Sequence, residues 1–204
     1  MMRFAPGSKK EDTLELGIRH RLGSRSIVLV GMPGCGKSAI GRRLAPRLDL
    51  PFVDADEEIE QAAGKSIKEI FADHGEDYFR DGERRVIARL LAAGPQILAT
   101  GGGAMMVEET RAKIRDAGIS VWVKADLPVL VRRVSKRSNR PLFEGRDPET
   151  VMKELMQTRY PIFATADIVV ESRDVPHDVI VDEIMEALAA STHLTDASGE
   201  ARQS

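Results

Sequence analysis

The sequence predicts an α/β fold, a five-stranded parallel sheet sandwiched between helices, and three observations carry that expectation. Residues 31–38 read G-M-P-G-C-G-K-S and fit the phosphate-loop pattern G-x-x-x-x-G-K-[ST] without a mismatch. A compact apolar run, S-I-V-L-V, precedes the loop, and Ile40, Leu44 and Leu48 share one helical face after it. Downstream, short apolar runs keep alternating with helix-length segments, the order that builds a parallel sheet through right-handed crossovers.

The loop requires these residue types at this spacing. Glycines let successive backbone N–H groups turn inward around a phosphate, and the following helix aims its positive end at the same point. Lys37 then reaches the β- and γ-phosphate oxygens while the Ser38 hydroxyl ligates Mg²⁺. Gly34, Cys35, Gly36 and Ala39 complete the expected ATP cradle.

Composition sets the frame. At 204 residues the chain suits one α/β domain that buries about 70 per cent of its unfolded surface. A net charge of −2 and a pI near 6.1 give no electrostatic case for nucleic-acid or membrane partners. Cys35 is the single cysteine, which excludes an internal disulfide framework and fits a reducing compartment. No apolar run approaches a membrane span and the first residues lack a hydrophobic signal core, so a cytoplasmic protein is expected.

Residues 1–25 are polar and of mixed charge, with a short helix around 13–22, and read as a loosely docked or flexible extension. After the first helix, L-P-F-V-D-A-D reads as a second strand ending in two carboxylates. At period 2, Asp54 and Asp56 leave the same face at the strand's carboxyl end, where open parallel sheets hold ligands. The competing reading makes Asp56 the cap of the next helix. Three helical segments follow: Gly64 ends the first, the capping box S-I-K-E opens the second, and Gly75 closes it. The third carries Arg80 and Glu83 on one face, a spacing that more often marks a solvated surface pair. Gly82 within it suggests a close approach to the backbone.

A third apolar run, I-L-A-T, leads into Gly101, Gly102 and Gly103, a backbone that a ligand can approach unhindered; a plain flexible loop is the alternative. No metal-holding aspartate ends this run, so a carboxylate for Mg²⁺ must come from the Asp54/Asp56 pair. Residues 119–123 form the fourth strand, and Asp126 with Pro128 starts a helix. Residues 136–146 hold four cations in a loop broken by Pro and Gly, the composition of a mobile lid over a phosphate site. A helix capped by Asp147 should end near Tyr160, because a residue before proline avoids the helical region. Residues 168–170 are the fifth strand, Pro176 opens a last amphipathic helix, and residues 191–204 read as a disordered tail.

Paired carboxylates, a Gly-rich second loop, a basic lid and further arginines point to a small-molecule kinase with an anionic, hydroxylated acceptor. Residues 26–190 also resemble shikimate kinase, a family with a nucleoside-monophosphate-kinase-like fold. The resemblance rests on the phosphate loop, F-V-D-A-D, F-R-D-G-E at 79–83, T-G-G-G at 100–103, R-P-L at 140–142 and R-Y-P at 159–161, in that order. It implies ATP and Mg²⁺ as cofactors, shikimate as acceptor, a helical substrate-binding region and a monomer. By the same resemblance Asp56, Arg80, Arg159 and the backbone of Gly101, Gly102 and Gly103 hold the acceptor. Asp54 joins Ser38 at the metal, Lys37 and Arg140 stabilise the moving phosphoryl group, and Asp56 orients the attacking hydroxyl. Arg173 lies in the stretch that covers adenine in that family. Ala39 departs from the pattern, standing where Thr is frequent, and Phe163 stands where Tyr is common. The alternatives are a gluconate or other small hydroxy-acid kinase and an inactive nucleotide-binding regulator; F-R-D-G-E with T-G-G-G argues against the first, Lys37, Asp56 and Arg140 against the second.

Overall fold

The computed structural model describes residues 9–136 and 145–194, excepting the side chains of 9–12. Five strands, β1 (Ser26–Val30), β2 (Phe52–Asp54), β3 (Ile97–Ala99), β4 (Gly118–Lys124) and β5 (Ile168–Glu171), form one parallel sheet in the order β2-β3-β1-β4-β5. All five residues of β1 are buried, which a strand achieves only when both faces of its sheet are covered. The cover comes from α1 (Lys9–Leu22), α2 (Lys37–Arg47), α3 (Ala55–Ala63), α4 (Ile67–Ala92), α5 (Glu108–Ala117), α6 (Leu127–Ser135), α7 (Pro148–Phe163) and α8 (His177–Ala190). Strand order reverses at β1, so the carboxyl ends of β1, β2 and β3 open onto a crevice between neighbouring connections.

Local chemistry sets these elements. Ser66 and Glu69 form a complete capping box at the start of α4. At Gly75 (φ 81°, ψ −178°) the α4 segment kinks, so its two halves are the second and third helices that the sequence predicts. Helix α2 lies directly on β2: a Cβ on Gly41 would sit 2.4 Å from the Phe52 ring, so only glycine permits this approach. That contact brings the start of α2 against the end of β2, where the metal-binding pair is expected.

Four expectations are corrected. The helix at the N-terminus is docked rather than loose, with Ile18 and Leu22 each 1 % exposed. Arg21 donates to the carbonyls of Ala189 in the last turn of α8 and of Ser191 and Leu194 beyond it, and Arg47 bridges Glu15 on α1 to Asp182 on α8. Leu14, Ile18 and Leu22 form an apolar stripe four residues apart, a signal masked by the polar average of the segment. Leu194 is buried, so packed chain extends past Ala190. Helix α7 runs through Pro161 to Phe163, since proline removes one ladder bond while Trp122, Tyr160 and Phe163 pack their rings together there. Nothing lies within 4 Å of a Cβ placed on Gly82, so no close approach explains that glycine. No helix among the described residues is long and apolar enough to cross a membrane.

Candidate active site

The crevice at the sheet's carboxyl edge is a cavity of about 460 Å³, and the phosphate loop forms one wall. Gly36 caps α2 at φ 106°, a left-handed conformation that turns the loop into the helix. Lys37 Nζ folds over the loop and donates to the carbonyls of Gly31 (2.9 Å) and Met32 (3.1 Å). Gly34 and Ala39 also line the cavity. Cys35 is fully buried, as a small residue that fits would be, and its carbonyl accepts from Arg133.

Ser38 Oγ donates to Asp54 Oδ2 at 2.6 Å, so the hydroxyl and carboxylate expected at the metal are already together. The geometry that unites Asp54 and Asp56 differs from the period-2 expectation. β2 stops at Asp54, whose Oδ1 accepts from the Asp56 amide and caps α3; Asp56 lies in the first turn of that helix. The cap role expected of Asp56 therefore falls to Asp54, and both residues line the cavity.

The opposite wall is built from α4, α7 and the glycine triplet. Arg80 donates to Glu83 Oε2 at 2.6 Å and to Glu76. This is no solvated surface pair: Glu83 is 1 % exposed and its Oε1 has no hydrogen-bond partner among the described residues. Burial pushes the Glu83 carboxyl above its usual range, against the pull of Arg80. Arg159, 9 % exposed, donates to the Gly102 carbonyl at 2.8 Å. Burial and the neighbouring Arg80 charge lower the Arg159 pKa, yet a guanidinium stays charged. The Tyr160 hydroxyl, bonded to the Ala125 carbonyl, anchors α7 beside Arg159, and burial pushes that phenol up to about 12.

The glycines are spacers, not a slack loop. A Cβ on Gly101 would lie 2.5 Å from Glu83 Oε1 and 2.9 Å from Asp56 Oδ1. One on Gly102 would lie 3.1 Å from Arg159 Nη1, and one on Gly103 2.6 Å from both Arg80 Nη atoms. Any side chain here would displace the charged groups that meet at this corner.

Arg173 pairs its guanidinium with Glu183 on α8, and its carbonyl accepts from Arg133, which lines the cavity. Arg140 lies outside the described residues. Thr100 of T-G-G-G and Lys136 of the basic loop also line the cavity, as do two residues that sequence reasoning missed, Arg133 and His177. Arg133 is the most developed of these, donating to Cys35 O, Ser172 Oγ and Arg173 O. Its position in an ordinary-looking R-R pair of α6 carries no motif that could have singled it out. Among the described residues, no group of three or more His, Cys, Asp or Glu side chains could hold a metal by itself.

Comparison with known proteins fits this arrangement. The shikimate kinase family model matches residues 33–189. The shikimate kinase of Bradyrhizobium diazoefficiens is 60% identical over 176 residues, 86% of this chain and 85% of that one. That of Caulobacter vibrioides is 58% identical over 82% of this chain and 84% of its own. The structure of Acinetobacter baumannii shikimate kinase in complex with shikimate superposes with a TM-score of 0.77 at 32% identity, covering 80% of this chain and 92% of that one. A gluconokinase from Sinorhizobium meliloti, at 23% identity and a TM-score of 0.56 over 81% and 92% of the two chains, shares the fold alone. The family match over most of the chain and the identity to these relatives place the protein in the shikimate kinase family.

Proposed function

We propose that the two walls of this crevice divide the phosphorylation of shikimate by ATP, with the triphosphate on the loop of α2 and the acceptor carboxylate between Arg80 and Arg159. The observation that carries this reading is the state of Arg159. It is a buried guanidinium with no ion-pair partner among the described residues, facing a second guanidinium whose charge Glu83 and Glu76 already meet. A buried cation without a counter-charge is costly, and an anionic ligand relieves it through bidentate hydrogen bonds.

With the carboxylate at that corner, the ring hydroxyls face Asp56, whose Oδ1 stands beside Gly101 between the two walls. Asp56 accepts a hydrogen bond from the 3-hydroxyl and orients its oxygen toward the γ-phosphate for in-line attack. Lys37 leaves the Gly31 and Met32 carbonyls for the phosphate oxygens and stabilises charge on the transferring group. The resemblance gives Arg140 the same task from the lid. Ser38 and Asp54 present two hard oxygens that fit Mg²⁺, with phosphate oxygens and water as its other ligands. When bound, the metal neutralises charge on the β- and γ-phosphates.

The test is ADP release by the purified protein with MgATP and shikimate, gluconate or no acceptor. Release that depends on shikimate alone is expected. Release with gluconate, or none with either acceptor in a protein that binds ATP, overturns the assignment.

A further inference from the structure

The phosphate wall of the crevice includes a titratable side chain that the mechanism above does not use. His177 is the first residue of α8, yet its imidazole faces the start of α2: a Cβ on Gly36 would lie 3.6 Å from Nε2 and 3.8 Å from Cδ2. It lines the same cavity as Gly36, Lys37, Ser38 and Ala39. Neither ring nitrogen has a hydrogen-bond partner among the described residues, whereas the two arginines beside it are committed. Arg133 of α6 donates to Cys35, Ser172 and Arg173. Arg43 of α2 donates to the Ala39 carbonyl and lies 3.5 Å from Asp178, the acidic group that faces His177 from α8.

The surroundings are electropositive. Arg43 and Arg133 act on the ring, Lys136 lines the same cavity, and α2 and α8 both start beside it. Burial, with Arg43 and Arg133, holds the imidazole below its ordinary range, which favours the neutral ring in the free protein. A polyanion entering the cleft reverses that balance, because its charge favours the imidazolium. Ala39, in the first turn of α2, has no side-chain donor to offer the same ligand.

We propose that His177 is a nucleotide-positioning residue whose Nε2 donates a hydrogen bond to the phosphate–ribose segment of the nucleotide, and that the imidazole takes up a proton from solvent as the nucleotide binds. The proposal rests on the reading that this cleft holds ATP. Because the bound state carries more protons, nucleotide affinity rises as pH falls from 8 to 6. The coupling is specific to the nucleotide, since the acceptor corner is formed by other residues.

The experiment measures MgADP affinity by calorimetry at pH 6, 7 and 8 for wild type, His177→Ala and His177→Gln. His177→Ala should weaken binding about 5- to 20-fold at pH 6 and less at pH 8, the range expected for losing a charged hydrogen bond at a half-exposed site. His177→Gln keeps a donor but cannot titrate, so it should bind within about threefold of wild type at pH 8 and lose the rise toward pH 6. In NMR, the ring signal absent from His177→Gln, one of four histidines, should titrate at higher pH with MgADP than without. The KM for shikimate should stay near the wild-type value in both variants. Equal affinities and equal pH slopes in all three proteins overturn the proposal while leaving the cleft assignment intact. Failure of wild type to bind MgADP overturns the cleft assignment, and the proposal with it.

Discussion

Replacing Arg80 with Met keeps an unbranched apolar stem and deletes the guanidinium, which exposes two consequences of the same contact. Glu83 beneath it is almost wholly buried, with one oxygen held by Arg80 and the other unpartnered. Removing one member of a buried pair costs about 3–5 kcal/mol when the other stays charged. In a domain of this size that lowers Tm by about 6–20 °C at neutral pH. The penalty depends on pH with a defined sign. Burial already raises the Glu83 pKa in the folded state, and loss of Arg80 raises it further, while the unfolded carboxyl titrates near its ordinary value of about 4.3. The folded state therefore binds the proton more tightly, and stability is lost as pH rises from the unfolded pKa toward the folded one. The deficit of Arg80→Met relative to wild type should be smallest near pH 5 and largest above pH 7. Adding Glu83→Gln should recover most of the stability and none of the acceptor affinity, because the carboxylate of shikimate still lacks its partner. In both variants kcat/KM for shikimate should fall by about 1.5–3 kcal/mol or more, roughly 10- to 150-fold. Thermal melts from pH 5 to 8 and steady-state kinetics read the two effects separately. A deficit that does not change with pH, or a double variant no more stable than the single one, refutes the account of Glu83.

The other predictions concern groups with separable roles. Gly103→Ala puts a methyl group 2.6 Å from both Arg80 Nη atoms on a backbone (φ −106°, ψ −8°) that alanine accepts, so shikimate KM should rise about tenfold or more while Tm moves by only a few degrees; an unchanged KM counts against the spacer role. Lys37→Met should lower kcat by orders of magnitude with an unchanged melt, and wild-type turnover in that variant removes Lys37 from the mechanism. Arg21→Ala removes the donor to three C-terminal carbonyls and should cost about 1.5–3 kcal/mol of stability with little effect on kcat; equal melting curves would mean that α1 is not fixed by that contact. Alkylation of the buried Cys35 should be slow with or without MgATP, as mass spectrometry can show, and rapid labelling of the folded protein contradicts its packing.

How much of this was legible in the sequence follows from how each feature is encoded. The phosphate loop, the capping box and the glycine triplet are local patterns whose chemistry depends on spacing along the chain, and each lies where that spacing places it. Asp54 and Asp56 are a pair in both readings, but Asp54 ends β2 and caps α3, so the chain is already helical two residues on, at Asp56, and period 2 does not apply. The burial of Glu83 was illegible because an Arg and a Glu three apart on a helix look the same on a surface as in a core. What distinguishes them is β3 and its glycines, which arrive from another part of the chain. The same reason hides Arg133 and His177, which reach the cleft from α6 and α8 through tertiary packing with no local motif.

A crystal structure of the protein with shikimate and MgADP decides how the acceptor is held. The account predicts the shikimate carboxylate between the guanidinium groups of Arg80 and Arg159, and the 3-hydroxyl on Asp56 facing the phosphate loop. A carboxylate bound elsewhere, or a 3-hydroxyl turned away from Asp56, would contradict it.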